Sequence, residues 1–494
     1  MTGQTVVFDC KRLNLRELTA LGHPTTRVVV TPRVWRLLAE RRESLEHAVS
    51  SGSGPIYGAT TGVGALKTHG VASNEMSQFN ARMIRDHAAG YGEWLTPELS
   101  RLVMGMRLVE LSRGGSGIHP QTFEWFLNVY NAGLIPALPQ FGSVGEADIT
   151  ILAHMARLAL GEGWVWTPDG DGLQLAGDAL ARWGFSPHML TMRDGLALIG
   201  GNSYTHALTV SALTRWTRLS ARAMDATALS WLAWQANPAA LRPDIIALVD
   251  SVAAKVAQQL QSRLNGTPLR PRDIQDPLSW RCAPSVMAAA LTAAKRVERE
   301  VNASIHASRD NPVVTSAGEV VSNGNFDVTL LAMDLDALRA AVSRVMTIQS
   351  QRVVKLLNHH YSQLTSGLAL FAGDSGYGLY ELTLSSILEE AQHLSQGPLL
   401  QSHDLAAGVE DYGSMSAPSA QKLQQLLNLW SLVTGIELLC ATRALKLRGL
   451  PVGPPLKPLV DQVSRWEGDV TLAPFEQLQE VNRWLTEDPG PEDS

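Results

Sequence analysis

The sequence predicts a mainly α-helical protein built around a bundle of long helices, with a smaller mixed part at its N-terminal end. Three observations carry this. Residues 203–235, 284–309, 329–357, 376–395 and 416–447 place apolar residues at helical spacing over stretches longer than an ordinary globular helix, and such stretches bury their stripes against one another. Residues 1–200 are glycine-rich and mix short extended candidates such as "RVVVTP" with several helices. Finally, 494 residues at 45% hydrophobic and 18% charged are long and apolar enough for a large core.

Each element has its own signals. Pro277 and Pro284 stand where the second long helix begins, a place proline tolerates because a first-turn N–H has no helical partner. "RDNPVV" ends that helix, since the residue before Pro312 is pushed out of helical geometry. The expected division is an N-terminal part, 1–200, a helical bundle, 201–485, and a disordered acidic, proline-rich tail, 486–494.

Charge and cysteine usage narrow the function. A net charge of −6 without basic runs does not suggest nucleic acid or a membrane surface. No uninterrupted apolar run reaches the roughly 18–20 residues of a membrane span. Cys10, Cys282 and Cys440 are too scattered for a disulfide framework or a paired-cysteine metal site, so a reducing, cytoplasmic location is expected. The adjacent histidines of "NHHYS" (358–362) point apart on a helix, and no metal is expected.

The loop most suggestive of chemistry is "FGSVGEADITILAHMA" (141–156). Gly142 and Gly145 permit tight turns, and Asp148 is placed to cap the helix that follows. Glu146 has no such structural duty. It is a bland surface acid or, facing a pocket, a charge in need of a partner.

Eight motifs in order, spread over nearly the whole chain, resemble those of the aromatic amino-acid ammonia-lyases and aminomutases, and histidine ammonia-lyase most closely. They are "YGATTGVG" (57–64), "DHAAGYGEWL" (86–95), "LSRGGSGIH" (111–119), "GLIPALPQFGSVG" (133–145), "QDPLSWRC" (275–282), "EVNASIHASRDNP" (300–312), "GNF" (324–326) and "EDYGSMS" (410–416). The resemblance implies the ammonia-lyase-like fold, a homotetramer and a small-molecule substrate. It implies that Tyr57 is the catalytic tyrosine of a mobile loop, taking a proton from the substrate's β-carbon, and that Arg281 grips the substrate carboxylate through its planar fork. His87 falls where the family reads the substrate side chain, and Phe326 where an aromatic wall stands. Glu410 aligns with the acid of the family's Q-E-D-H motif, and Glu381 replaces a glutamine. Asn202 lies two residues from the family's helper asparagine, whose place is taken by Gly200.

The departures are as informative. In the family an Ala-Ser-Gly in this loop cyclises and loses water to give 4-methylideneimidazol-5-one, an electrophile that captures the substrate amine. Here only Glu146 and Ala147 stand between Gly145 and Asp148, with no serine to dehydrate. A second family tyrosine is Leu278, and the Q-E-D-H histidine is Tyr412. The sequence alone therefore favours an enzyme working without that group and with no cofactor. It would act on an amino-acid-like carboxylate carrying a cationic or polar group, by elimination, addition, isomerisation or cyclisation in specialised metabolism. Tyr57, Glu410 and Glu146 would supply acid and base, and Arg281, His87, Phe326, Asn202 and Glu381 the binding surface. The alternatives are a non-catalytic homologue serving as binding protein or partner subunit and, ranked last, a conventional amino-acid ammonia-lyase.

Overall fold

The computed structural model describes residues 4–52, 54–397, 404–469 and 471–487. The tail expectation therefore falls, from residue 488 onward, outside the described residues. Among the described residues the long helices include Ser203–Trp234, Ala283–Ile305, Thr329–Leu357, Tyr380–Ser395 and Ser416–Arg448, with Pro32–Ser50 in the N-terminal part. Each of the first five overlaps a stretch whose apolar periodicity predicts it, though the second ends at Ile305, four residues before the expected 309 and ahead of "RDNPVV". The fourth starts four residues later than 376, because Gly376 sits at positive φ and Tyr377 and Gly378 donate to carbonyls of a tight turn. A further helix, Ser251–Leu264, has Asp250 as a side-chain cap that accepts from Val252 and Ala253 N–H.

The Ser416–Arg448 helix is long and apolar enough to cross a membrane by composition, but 78% of its most apolar window is buried. Leu423, Leu427, Trp430, Ile436 and Leu439 are among its residues packed inside the protein. This apolar stripe is thus satisfied by protein.

The strands are short and paired in two-stranded sheets. The expected extended segment is Arg27–Val30, which runs parallel to Thr5–Phe8 with Val6 opposite Val28. Val6, Phe8 and Val28 face inward, giving the alternation of a half-buried ribbon.

Packing divides the chain into two compact units. The first comprises Met1–Ser211, Val297–Met333 and Pro398–Gln421, and the second Ala212–Arg296, Asp334–Gly397 and Lys422–Ser494. Both are discontinuous, because four of the long helices change unit along their length. The 200/201 boundary read from sequence texture falls inside the first unit.

Inside the second unit, the Arg352 side chain is fully buried and meets Glu437, also fully buried, through Nε at 2.6 Å and Nη2 at 3.1 Å. Ser279 carbonyl and Thr227 Oγ1 accept from the remaining Nη groups. Ser230 Oγ and Gln349 Nε2 donate to the carboxylate as well. Every polar atom of this pair has a partner, the condition under which a buried ion pair persists.

Candidate functional site

The loop 142–148 is fixed from both ends. Gly145 has φ +89°, and a Cβ there would run into the Ser414 and Ser416 hydroxyls, so only glycine fits. Its carbonyl accepts from Asn202 Nδ2 at 3.0 Å and Ser414 Oγ at 3.1 Å. Met415 N–H donates to the Val144 carbonyl at 2.8 Å. At the other end Asp148 is completely buried. It does not cap the helix Ile149–Ala156, to which its side chain makes no capping bond. That expectation is corrected: the carboxylate accepts from Thr205 N–H at 2.8 Å and Thr205 Oγ1 at 2.9 Å, in the first turn of a different helix, and from Ser143 Oγ. Asp148 N–H in turn donates to the Gly201 carbonyl at 2.7 Å. A buried acceptor goes where the most N–H and O–H donors converge, and these lie on the 203–234 helix.

Glu146 emerges between these anchors, half-buried. Its Oε1 accepts the Ser414 N–H at 2.7 Å. Burial pushes its carboxyl up to about 7, opposed by the Ser414 N–H and reinforced by the Asp327 carboxylate, which lies within hydrogen-bonding reach. Asp327 Oδ1 accepts from Thr329 N–H and Oγ1, and Thr329 Oγ1 meets the Tyr412 hydroxyl. Arg309 stretches alongside, giving Nε to the Ser304 carbonyl and Nη1 to the Asn325 and Asp327 carbonyls, with the Asp327 and Glu146 carboxylates both acting on its charge. Among the described residues no cation forms an ion pair with either acid. Phe326, half-buried, directly precedes Asp327.

Tyr57 lies on the turn 57–64 of the same unit. Its hydroxyl accepts the Gly64 N–H at 2.7 Å. Burial raises the Tyr57 pKa above the usual phenol value, the Gly64 N–H pulls it back, and the Glu410 charge raises it further, the opposite of what activates a tyrosine base. Glu410 is half-buried and bridges by its backbone to Leu405. The Gly64–Leu66 turn packs against Ala406–Gly408, which is how Tyr57 and Glu410 come to sense one another.

His87 ends the helix Met76–His87, half-buried, with Nδ1 2.7 Å from the Met83 carbonyl. A carbonyl only accepts, so Nδ1 carries the proton and Nε2 is the ring's acceptor. Asn202 is completely buried, and its Oδ1 has no partner.

Arg281 and Glu381 belong to the second unit. Arg281 Nε donates to the Asp276 carbonyl at 2.6 Å, and among the described residues no carboxylate pairs with its half-buried guanidinium. This is a fork held at its base with its tip uncommitted, unlike Arg352. Glu381 is in the first turn of Tyr380–Ser395, where an acid is favoured by the helix dipole. Tyr57, Glu410, Glu146, Asn202, Phe326 and His87 all belong to the first unit. Sequence reasoning missed Asp327, Thr329, Ser414 and Arg309. All four stand in or beside quoted motifs, but only the long-range contacts of Ser414 and Asp327 with loop 142–148, and of Thr329 and Arg309 with Asp327, reveal their part.

The description "Aromatic amino acid lyase" matches residues 13–465. The chain belongs to the aromatic amino acid lyase family. Within that family it is 34% identical to histidine ammonia-lyase of Symbiobacterium thermophilum over 491 residues, covering 95% of each chain. It is 32% identical to histidine ammonia-lyase of Deinococcus radiodurans, over 89% of this chain and 86% of the relative. Among solved structures, histidine ammonia-lyase of Trypanosoma cruzi superposes with a TM-score of 0.89 at 28% identity, over 98% of this chain and 93% of that one. These relatives overturn the ranking read from the loop. A chain-long relationship to histidine ammonia-lyases favours the conventional ammonia-lyase class, which the missing serine had placed last. One short loop is outweighed by similarity that extends over the whole chain.

Proposed function

We propose that the protein is an amino-acid ammonia-lyase, removing the amino group of an α-amino acid to leave an α,β-unsaturated acid, with histidine as the first candidate substrate. The observation that carries this is the 34% identity over 95% of both chains to a histidine ammonia-lyase. In this reading the uncommitted fork of Arg281 takes the substrate carboxylate in a bidentate grip. Tyr57 Oη takes the β-proton, and the Gly64 N–H already aimed at it stabilises the phenolate that does so. His87, with Nε2 as acceptor, and Phe326 meet the side chain. Glu410 and Glu381 hold polar groups around it. The resemblance implies a homotetramer in which Tyr57, Arg281 and Glu410 meet across subunit boundaries, and a cytoplasmic location goes with it. A monomer by light scattering would count against that assembly.

The family's methylidene-imidazolone does not fit loop 145–148. The group needs a serine that loses its hydroxyl, and the serine nearest in sequence, Ser143, gives its Oγ–H to Asp148. Ala147 is held at φ +50° between Glu146 and a buried Asp148. We infer that the loop does not form the group. Intact-protein mass spectrometry tests this: a mass matching the unmodified sequence is expected, and a deficit of one or two waters localised to 143–149 would refute it. The activity reading is tested by ammonia release from L-histidine, L-phenylalanine and L-tyrosine, alongside a rise in ultraviolet absorbance from the new double bond. No release from any of the three by folded tetramer would overturn it.

A further inference from the structure

A buried polar relay in the first unit has no part in the function proposed above. His206 is completely buried, with Nδ1 2.8 Å from Glu110 Oε1 and Nε2 2.7 Å from Ser304 Oγ. Glu110 comes from the helix Pro97–Leu111 and Ser304 from the end of Ala283–Ile305, so three helices meet at one imidazole. The Glu110 carboxylate, paired with Arg107 at 2.6 Å, only accepts, so Nδ1 carries a proton toward it. Hydroxyl, imidazole and carboxylate stand in the order of a nucleophilic relay. Yet Ser304 and His206 have no solvent exposure and Glu110 almost none, so no substrate reaches the hydroxyl. The relay holds structure in place and does not react.

What it holds is the turn 200–206. Glu110 Oε2 accepts from Ser203 Oγ at 2.7 Å and from Arg107 Nη1 at 2.6 Å. Arg107 Nη2 donates to the Ala197 and Gly200 carbonyls and to Asp310 Oδ1. A Cβ on Gly201 would run into both Arg107 and Glu110, so only glycine lets the turn lie against this ion pair. Positions three apart share a helix face. Ser203 and His206 form one row, bonded to the buried cluster. Asn202 and Thr205 form the next, bonded to the Gly145 carbonyl and the Asp148 carboxylate. One short stretch grips the cluster with the first row and the loop with the second. We propose that His206 and Glu110 are positioning residues of the site: they fix Ser203, and with it the row that holds loop 145–148 and Glu146 in place. This rests on the amino-acid reading above, with the loop as part of its site, and adds the device that sets the loop's position.

The test uses the full-length protein as wild type, Ser203→Ala, His206→Leu and His206→Asn, whose amide can donate to Glu110 from the place of Nδ1. Hydrogen exchange, read peptide by peptide, is expected to quicken roughly tenfold or more at 143–149 in Ser203→Ala and His206→Leu. It should stay as in wild type at 251–264, in the second unit, and return toward wild type at 143–149 in His206→Asn. For the amino acid that wild type deaminates, kcat should fall about tenfold or more in the first two variants, with KM within about threefold and partial recovery of kcat in His206→Asn. Unchanged exchange at 143–149 in folded Ser203→Ala, or equal losses in His206→Leu and His206→Asn, would overturn the proposal. If wild type releases no ammonia, the amino-acid reading falls, and the exchange result alone decides whether the relay positions the loop. Ser203→Ala leaves Arg107 on Glu110 and strands no charge, so it tests the idea even where His206→Leu does not fold.

Discussion

Two glutamates of this protein sit in contrasting company. Glu437, in the second unit, accepts from both Nε and Nη2 of Arg352, from Ser230 and from Gln349, with no solvent exposure. Glu146, in the first, has Ser414 as its donor and faces another carboxylate. The first arrangement uses up every lone pair, which is what makes a buried charge tolerable. The second leaves capacity unused, and burial with the Asp327 charge raises the cost of ionisation. Local sequence does not distinguish them, since both are glutamates on glycine-containing, partly apolar segments. Only the partners do.

The contrast can be broken first at Glu437. Glu437→Ala leaves Arg352 buried without a counter-charge and should destabilise the second unit by about 3–5 kcal/mol, read as a lower urea midpoint. A shift under 1 kcal/mol would mean that the pair is not the anchor its geometry indicates. Asp148→Ala comes next. It strips three donors of their acceptor and should cost about 2 kcal/mol, with faster amide exchange at Thr205 as the local signature.

At Glu146 the sign reverses. A carboxyl whose folded pKa lies near 7 binds more protons folded than unfolded between its unfolded value and 7, so stability falls as pH rises through that window and levels off above it. Glu146→Gln removes the penalty. It should be more stable than wild type by about 1 kcal/mol at pH 8, after allowance for solvent screening of a half-buried group, and equal to it near pH 4. Urea midpoints across pH measure this, and a variant less stable at pH 8 would contradict it. Tyr57→Phe should have an equally small effect on stability, a loss of about 1 kcal/mol from the missing Gly64 bond, while lowering turnover by roughly 100-fold or more if Tyr57 is the base. Parallel small losses in both would make it a loop anchor.

The helices were legible because their signal is local. Apolar spacing along 203–235 or 416–447 is visible without knowledge of any partner, and the structure starts and ends those helices within a residue of it. Motif order likewise reached the family through Tyr57, Arg281 and Glu410. The loop's inner wiring was not legible. Asp148 read as the cap of its own helix, because an acid before "ITILAHMA" satisfies every local rule; two of its three donors, both on Thr205, are more than 50 positions away. Asp327 follows the quoted "GNF" and still escaped notice. Its meaning arises only when residues 146 and 327 are neighbours. The Tyr57 pKa direction was out of reach for the same reason, since burial is a property of the fold.

The anchoring of Gly145 and Asp148 bears on how this loop could be redesigned. With glycine forced at one end and a carboxylate locked to Thr205 at the other, positions 146 and 147 behave as a two-residue cassette between fixed posts. Exchanges within the cassette leave the posts standing, so saturation libraries there should yield mostly folded protein. An inserted residue is another matter: it must bulge outward or pull one post free. A graft that lengthens the loop will therefore need companion changes at Asn202, Thr205 or Ser414, the residues that set the distance between the posts.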